Sequence, residues 1–177
     1  VWPTLAAGVT ASPAGIIDLG RMPGVGEITA SDGNVTIGAG ATWYEVETHP
    51  AIVKTWAPLA LAAREIGALQ IQARATLGGN VGTSSPVGDS LPVLLALDAE
   101  LELASARGTR RVPYSEFCTG YRKTLLAPDE LIVSATLPAP SKTTHTTWRK
   151  VGTRRAQSIS KVMGAASTET EDGVVKT

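Results

Sequence analysis

The residues best suited to bind an anion lie in one stretch, Ala75–Asp89, which has glycines at positions 78, 79, 82 and 88. Glycine accepts positive φ and carries no Cβ, so adjacent glycines can bring backbone N–H groups against a phosphate, as anion-binding nests do. Asp89 can accept hydrogen bonds from sugar hydroxyls, or it can cap the helix that follows. The residues alone leave a second interpretation open, an ordinary glycine-rich turn ending in a helix cap. The stretch has neither the lysine of a P-loop nor the glycine spacing of a Rossmann fingerprint.

The sequence offers no constellation for nucleophilic, acid–base or metal chemistry. His49 and His145 are far apart, neither forms a cluster with Cys118, and no serine lies in a G-x-S-x-G motif. The single cysteine excludes an internal disulfide and a thiolate-ligated cluster held by this chain alone. We therefore predict no catalytic residue and no metal ligand on this chain.

Composition indicates a globular chain with a sizeable core, because 43% of its 177 residues are apolar and 18% are charged. Sixteen basic and sixteen acidic residues cancel, so neither nucleic acid nor an anionic membrane is an expected partner. No apolar stretch is long enough to span a bilayer and no signal peptide is visible. A lone cysteine fits the cytoplasm. The start at Val1 and the end at Thr177 in mid-pattern suggest a fragment.

Five elements are predicted before the glycine-rich stretch. A short buried strand is expected at Ile16–Leu19, and Asp32-Gly33 is typical of a hairpin turn between two further strands. Thr42 and Glu45 have the spacing of a capping box that opens a short helix. A longer helix is predicted over Pro58–Ile66, with proline in its first turn and Gly67 at its end.

The elements after that stretch begin with a buried helix at Leu91–Leu97 and an alternating strand at Glu100–Ala104 that turns at Gly108. The clearest strand is Leu131–Leu137, which two prolines end. A polar linker, Ser141–Thr147, then marks a boundary. Beyond it, we expect strand or helix beginnings at Trp148–Val151 and Ile159–Ala166, and a hairpin at Asp172-Gly173.

Three blocks in the same order resemble one family. Ala75–Asp89 resembles the second flavin-binding loop of the FAD-binding (medium) subunits of molybdenum hydroxylases, of the xanthine dehydrogenase and carbon monoxide dehydrogenase type. Gly120–Ile132 resembles a second signature of these subunits, and Trp148–Ser160 resembles the entry to their C-terminal domain. Ile16–Thr42 also runs in the expected order of strand, hairpin and helix start. Three ordered blocks are far more specific than one glycine loop.

The resemblance implies an α+β fold of the p-cresol methylhydroxylase type, in which two α/β subdomains embrace FAD. Residues 1–140 would form the FAD-binding domain, with its N-terminal part incomplete. Residues 141–177 would form the truncated start of a C-terminal α+β domain.

The resemblance also implies where FAD contacts this chain. The backbone N–H groups at one run would lie on the FAD diphosphate: Thr76, Leu77, Gly78, Gly79 and Asn80. Asp89 would face the adenosine part, Ile132 would lie near the flavin ring, and Lys150 would approach that ring.

The first FAD loop of the family, Ala-Gly-Gly-Thr-Asp or close to it, corresponds here to Leu5–Thr10. Gly8 keeps one glycine of that loop and is predicted to contact FAD. Ala7 and Val9 add Cβ atoms where the backbone must approach a phosphate, which predicts a steric clash or a lost hydrogen bond. Half of the flavin clamp therefore departs from the family pattern.

The function that the resemblance implies is electron transfer. The chain would be the FAD-binding component of a molybdenum-containing hydroxylase or dehydrogenase, an oxidoreductase. Its partners would be a molybdopterin-binding large subunit and a [2Fe-2S] small subunit, and its FAD would accept electrons from the iron–sulfur clusters. The alternative is a truncated relative that binds no flavin and acts as an interaction module.

Overall fold

The computed structural model describes residues 15–176, so the Leu5–Thr10 loop with Gly8 lies outside the described residues. A five-stranded antiparallel sheet carries most of the core. Its strands are β1 (Ile28–Ser31), β2 (Asn34–Gly38), β3 (Glu100–Ser105), β4 (Gly108–Pro113) and β7 (Leu131–Leu137), in the order β1-β2-β7-β3-β4. Two short strands, β5 (Cys118–Gly120) and β6 (Lys123–Thr124), pair with each other.

The helices are short and pack with this sheet around one hydrophobic cluster. They are α1 (Trp43–Thr48), α2 (Pro50–Thr55), α3 (Ala57–Arg64), α4 (Leu69–Gln72), α5 (Leu77–Thr83), α6 (Leu91–Ala96) and α7 (Tyr114–Phe117). Helices and strands both contribute fully buried side chains to the cluster, among them Trp43, Leu59, Leu77, Leu94, Leu101 and Leu137. The predicted α+β class is confirmed.

Local sequence signals account for the first half of this framework. Asp32 and Gly33 both have positive φ, which is the geometry of the predicted hairpin turn between β1 and β2. The predicted capping box is confirmed, because Thr42 Oγ1 accepts from Glu45 N–H while Thr42 N–H donates to Glu45 Oε2. Gly67, at φ +58, follows the predicted helix α3.

The starts of helices α1 and α5 are joined to each other. Trp43 N–H donates to the carbonyl of Ala75 at 3.0 Å, and Leu77 N–H donates to the carbonyl of Ala41 at 2.9 Å. An antiparallel bridge connects Thr42 with Thr76, the two N-cap residues. Because each helix supplies an acceptor for the first N–H of the other, the glycine-rich helix α5 is fixed at its N-terminus.

A second sheet follows the first and consists of β8 (Thr144–Gly152), β9 (Ser160–Glu171) and β10 (Val174–Val175), in the order β10-β9-β8. Trp148 and Ala165 on this sheet pack against the main hydrophobic cluster. The hairpin predicted at Asp172-Gly173 is confirmed, and both residues have positive φ. The predicted linker is partly wrong, since β8 already begins at Thr144.

The strand predicted at Ile16–Leu19 is wrong. The Asp18 carboxylate accepts from Gly20 N–H at 3.1 Å and caps a 3-10 helix at Leu19–Arg21, which turns the chain. Ile16 and Ile17 remain 63% and 82% exposed, so they lack the cover that a buried strand requires. Within residues 15–176, no helix is long and apolar enough to cross a membrane.

Candidate functional site

The glycine-rich stretch is the beginning of a helix rather than a nest. Thr76 is the N-cap of α5, and its Oγ1 accepts from Gly79 N–H at 3.2 Å. The glycines at positions 78, 79, 82 and 88 all lack positive φ, so the predicted left-handed geometry is wrong. The physical reason is the Thr76 cap, which allows the four residues after it to enter the helix directly.

The glycines serve here through their missing Cβ. A Cβ at Gly78 would lie 2.7 Å from Ala39 Cβ, because the Gly78 N–H donates to the Ala39 carbonyl at 2.8 Å. A Cβ at Gly79 would meet only Thr76 Oγ1, at 3.2 Å, and one at Gly82 would meet Ile132 Cδ1 at 3.6 Å. Gly78 therefore permits close packing of the helix on the end of β2, and Gly82 permits close approach of Ile132, while Gly79 leaves space open.

That space is a groove of about 330 Å³. Gly78, Gly79 and Gly82 form one wall with Thr76, and the opposite wall is aliphatic, formed by Leu126, Leu131 and Ile132 beside Glu130. The remaining lining residues come from the 3-10 helix and the chain after β2: Leu19, Gly20, Val25, Ala39 and Gly40. The groove thus brings together four predicted site residues: Thr76, Gly78, Gly79 and Ile132.

Four of the five N–H groups predicted to face a diphosphate donate within the protein. Leu77 and Gly78 donate to the carbonyls of Ala41 and Ala39, Gly79 donates to Thr76 Oγ1, and Asn80 donates to the Thr76 carbonyl at 3.1 Å. The Leu77 side chain is fully buried in the core. The glycine backbone of α5 therefore lines the groove, but these four N–H groups already have acceptors.

Asp89 lies outside the groove and forms a buried ion pair with Lys150. Lys150 Nζ donates to Asp89 Oδ2 at 2.7 Å and to the Glu65 carbonyl at 3.1 Å, and the two side chains are only 6% and 10% exposed. The indole N–H of Trp148 donates to the Asp89 carbonyl at 3.0 Å. The other carboxylate oxygen, Oδ1, is buried without a hydrogen-bond partner in the described part of the chain. Burial raises the pKa of Asp89 despite its hydrogen bond to Lys150.

The helix-cap interpretation of Asp89 is not supported. Helix α6 begins at Leu91, its N-cap is Ser90, and the Asp89 carboxylate goes to Lys150 instead. Ser90 Oγ donates to Asn80 Oδ1 at 2.7 Å, so Asn80 connects helix α5 to the residue beside Asp89. Lys150 also lines a separate, larger cavity of about 1010 Å³ with Arg64, Arg154 and Arg155.

Sequence reasoning missed Glu130 and Arg110. Arg110 holds the Glu130 carboxylate through both oxygens, at 2.7 and 2.8 Å, and Ala127 N–H donates to Glu130 Oε2 at 2.9 Å. The bond from Arg110, and then that from Ala127, lower the pKa of Glu130 to about 2. Glu130 stands in the Gly120–Ile132 block, but its partner lies on β4, so no local spacing could have revealed the pair.

Comparisons with known proteins show the family of the chain. The family described as the FAD binding domain in molybdopterin dehydrogenase matches residues 6–140. The nicotinate dehydrogenase FAD-subunit of Eubacterium barkeri is 30% identical over 168 residues, covering 93% of this chain and 57% of that protein. The xanthine dehydrogenase FAD-binding subunit of Escherichia coli O157:H7 is 32% identical over 160 residues, covering 89% of this chain and 55% of that protein.

Two solved structures have the same fold over almost the whole chain. Carbon monoxide dehydrogenase from Hydrogenophaga pseudoflava matches with a TM-score of 0.91 and 27% identity, over 99% of this chain and 61% of that one. Quinoline 2-oxidoreductase from Pseudomonas putida 86 matches with a TM-score of 0.88 and 26% identity, over 98% of this chain and 60% of that one. The chain therefore spans a little more than half the length of these relatives.

Proposed function

The chain belongs to the FAD-binding domain family of the molybdopterin dehydrogenases, and we propose that it holds FAD in the glycine-lined groove as an electron-transfer component. The parent enzyme would be a molybdenum-containing hydroxylase or dehydrogenase of the xanthine dehydrogenase type. A molybdopterin-binding large subunit and a [2Fe-2S] small subunit would be its partners. Bound FAD supplies the redox chemistry, accepting electrons that arrive from the iron–sulfur clusters.

The single observation that carries this proposal is the pairing of a glycine wall with an aliphatic wall. Gly79 leaves open the volume that a side chain would fill, and the missing side chain of Gly82 lets Ile132 approach closely, since a Cβ there would lie 3.6 Å from Ile132 Cδ1. A flat ring or a phosphate can therefore approach the backbone of helix α5 closely, while Leu126 and Ile132 exclude water from the other side. These residues fit a dinucleotide better than a compact polar ligand.

Asp89 supplies a second feature that fits FAD. Its Oδ1 is buried without a protein partner among the described residues, and such an acceptor is costly unless a donor reaches it. A hydroxyl of the adenosine part is a suitable donor, which agrees with the role predicted for this carboxylate. Lys150 would hold the other oxygen in place from the second sheet, and this contact would put it beside the adenosine part rather than the flavin ring of an extended FAD.

Three finer features belong to the same proposal. Gly8 would contribute to the first FAD loop, and the family match over residues 6–140 supports a role for that segment. Residues 1–140 would form the FAD-binding domain of the p-cresol methylhydroxylase type. Residues 141–177, whose strands β8–β10 pair only with each other among the described strands, would begin the C-terminal domain.

One observation favours the alternative of an interaction module that binds no flavin. The N–H groups of the first four residues of α5 already have acceptors within the protein, so they are not free to donate to a diphosphate. The two functions differ in a simple measurement, since only an FAD-binding protein gains the visible absorbance of bound flavin when it is incubated with FAD and desalted.

The decisive variant is Gly79→Val. Valine is compatible with the helical φ of this residue, and its side chain fills the groove, so FAD binding should be lost while the fold is retained. Gly164→Val is the matched control, because a Cβ there meets nothing within 4 Å and the residue lies on strand β9. Circular dichroism and flavin titration should give native-like spectra for both variants and binding only for the control. Unchanged affinity in Gly79→Val would reject the groove as the site.

A further inference from the structure

The wall of the groove opposite the glycines depends on the loop between β6 and β7, residues 125–130. Leu126 and Glu130 from this loop line the groove, next to Leu131 and Ile132 at the start of β7. The loop has little regular structure to hold it. Its backbone is fixed by isolated bonds, such as Leu125 N–H to the Phe117 carbonyl and Glu130 N–H to the Ala127 carbonyl.

One arginine ties the two ends of this loop together. Arg110 donates to both oxygens of Glu130 and, through Nη2, to the carbonyl of Leu125 at 3.1 Å. Glu130 then folds the loop onto itself, because its Oε2 also accepts from Ala127 N–H. The planar fork of arginine is suited to such simultaneous bonds, whereas the ammonium of lysine lacks the fork.

We propose that Arg110 is a positioning residue for FAD, acting through Glu130 to set the aliphatic wall of the groove. This inference rests on the proposed function of the groove. Arg110 does not itself line the groove, so its effect on a ligand must pass through the loop. Loss of the Arg110 bonds would free Leu126 and Glu130 to move relative to bound FAD. Displacements of about 1 Å in the residues that form a binding site can greatly weaken binding.

The chain contains a matched control in the same loop. Arg107, from the β3–β4 hairpin, forms an ion pair with Asp129, and these side chains are 65% and 51% exposed. Neither residue lines the groove. The two arginines lie on the same hairpin and hold adjacent acids. They differ in whether the acid forms part of the groove wall and in its burial, since Glu130 is 7% exposed and Asp129 is 51% exposed.

The test compares Arg110→Lys with Arg107→Lys in the purified protein, with FAD titration followed by flavin absorbance and fluorescence. Arg110→Lys should raise the Kd for FAD about tenfold and change the shape of the bound flavin spectrum, since lysine cannot replace the fork. Arg107→Lys should stay within about twofold of the unmodified protein in Kd, because exposed pairs contribute little. Thermal melts of the FAD-free forms check that both variants fold.

Glu130→Gln is a second variant for the case in which Arg110→Lys does not fold, and the same loss of affinity is expected from it. Arg110→Lys binding within about twofold of the unmodified protein, or an equal loss in Arg107→Lys, would overturn this inference alone. Failure of the unmodified protein to bind FAD would overturn the proposed function and this inference together.

Discussion

Two ion pairs enter the proposed FAD site, one on the wall of the groove and one outside it, and their carboxylates are in opposite situations. Both oxygens of Glu130 are bound, to Arg110 and Ala127, and the pKa of this group falls to about 2. Asp89 is bound through one oxygen to Lys150, while its Oδ1 is buried and unpartnered among the described residues, and burial raises its pKa. Both oxygens of Glu130 thus have donors within the protein, whereas one oxygen of Asp89 has none among the described residues.

This difference suits the Arg110–Glu130 pair to a structural role and the Lys150–Asp89 pair to contact with a ligand. A carboxylate with all its bonds made gains nothing from a further donor, so Glu130 is suited to fixing a loop. A buried oxygen without a donor costs free energy in the unliganded protein and lowers the cost of binding a hydroxyl. The comparison supports the proposals that Glu130 sets the shape of the groove and that Asp89 contacts FAD.

The largest effect should follow removal of the Asp89 carboxylate. Asp89→Ala leaves the ammonium of Lys150, which is 6% exposed, buried without its charge partner, and it should cost about 3–5 kcal/mol of unfolding free energy. Glu130→Ala should cost less, because Arg110 is 44% exposed and can be hydrated. Urea unfolding measures the free energy lost in each variant. A loss in Asp89→Ala equal to or smaller than that in Glu130→Ala would contradict the proposed difference between the two pairs.

The paired replacement Asp89→Leu with Lys150→Met checks the cause of that loss. Removing both charges from a buried site and filling it with apolar side chains is often neutral for stability. Recovery of most of the lost stability in this double variant would attribute the effect to the unpaired ammonium rather than to a packing defect.

The next effect concerns ligand affinity. Asp89→Asn should weaken FAD binding by about 1.5–3 kcal/mol, roughly ten- to a hundredfold, because a charged acceptor for a ribose hydroxyl is lost. Isothermal titration at a temperature where the variant is fully folded gives this number. Asp129→Asn makes the same change on an exposed acid that does not line the groove, and it should leave the affinity unchanged. Equal affinities for the two variants would remove Asp89 from the site.

Several elements that frame this comparison were predictable from the sequence because their signals are local. The Asp32-Gly33 turn, the Thr42–Glu45 capping box and the strand Leu131–Leu137 each depend on residues within a few positions of one another. The glycines also indicated a stretch of backbone open to close approach, and Gly78, Gly79 and Gly82 line the groove. The conformation of this stretch was not predictable, because the Thr76 cap allows a helix that glycine composition alone disfavours.

Neither ion pair could be predicted from the sequence, because the partners are far apart along the chain. Lys150 is 61 residues from Asp89, and Arg110 is 20 residues from Glu130. Each pair depends on which elements lie side by side in the folded chain. The family resemblance predicted that Asp89 and Lys150 each contact FAD, but it did not indicate that these two residues contact each other.

The pH dependence of stability should have opposite signs at the two carboxylates. The folded-state pKa of Glu130, about 2, lies below its ordinary 4.5, so its contribution is complete above pH 4.5 and is lost as the pH falls toward 2. The raised pKa of Asp89 means that the folded state holds that proton more tightly. Stability from this group is therefore present below pH 3.8 and is lost as the pH rises through the raised value.

Unfolding midpoints in urea, measured from about pH 2 to pH 6, separate these two contributions. Glu130→Gln should flatten the loss of stability on the acid side, and Asp89→Asn should remove the decline with rising pH. Slopes of the same sign for the two carboxylates would contradict the assignment.

The smallest effect is expected at the exposed pair. Asp129→Ala breaks the contact with Arg107, but solvent hydrates both groups, so the melting temperature should change by no more than about 2 °C. A thermal melt checks this value. A change as large as that of Asp89→Ala would show that exposure does not distinguish the pairs.

Strand β8 presents Trp148 and Lys150 to Asp89 from alternate positions, with the exposed Arg149 between them. A slip of β8 by one residue would turn it over and bring Arg149 or Val151 to the position of Lys150. Valine would leave the buried carboxylate without a counter-charge, and the guanidinium of arginine would need more room than the ammonium. The buried Asp89 carboxylate thus favours the observed register of the second sheet over a one-residue slip, although it lies 61 residues from its partner in the chain.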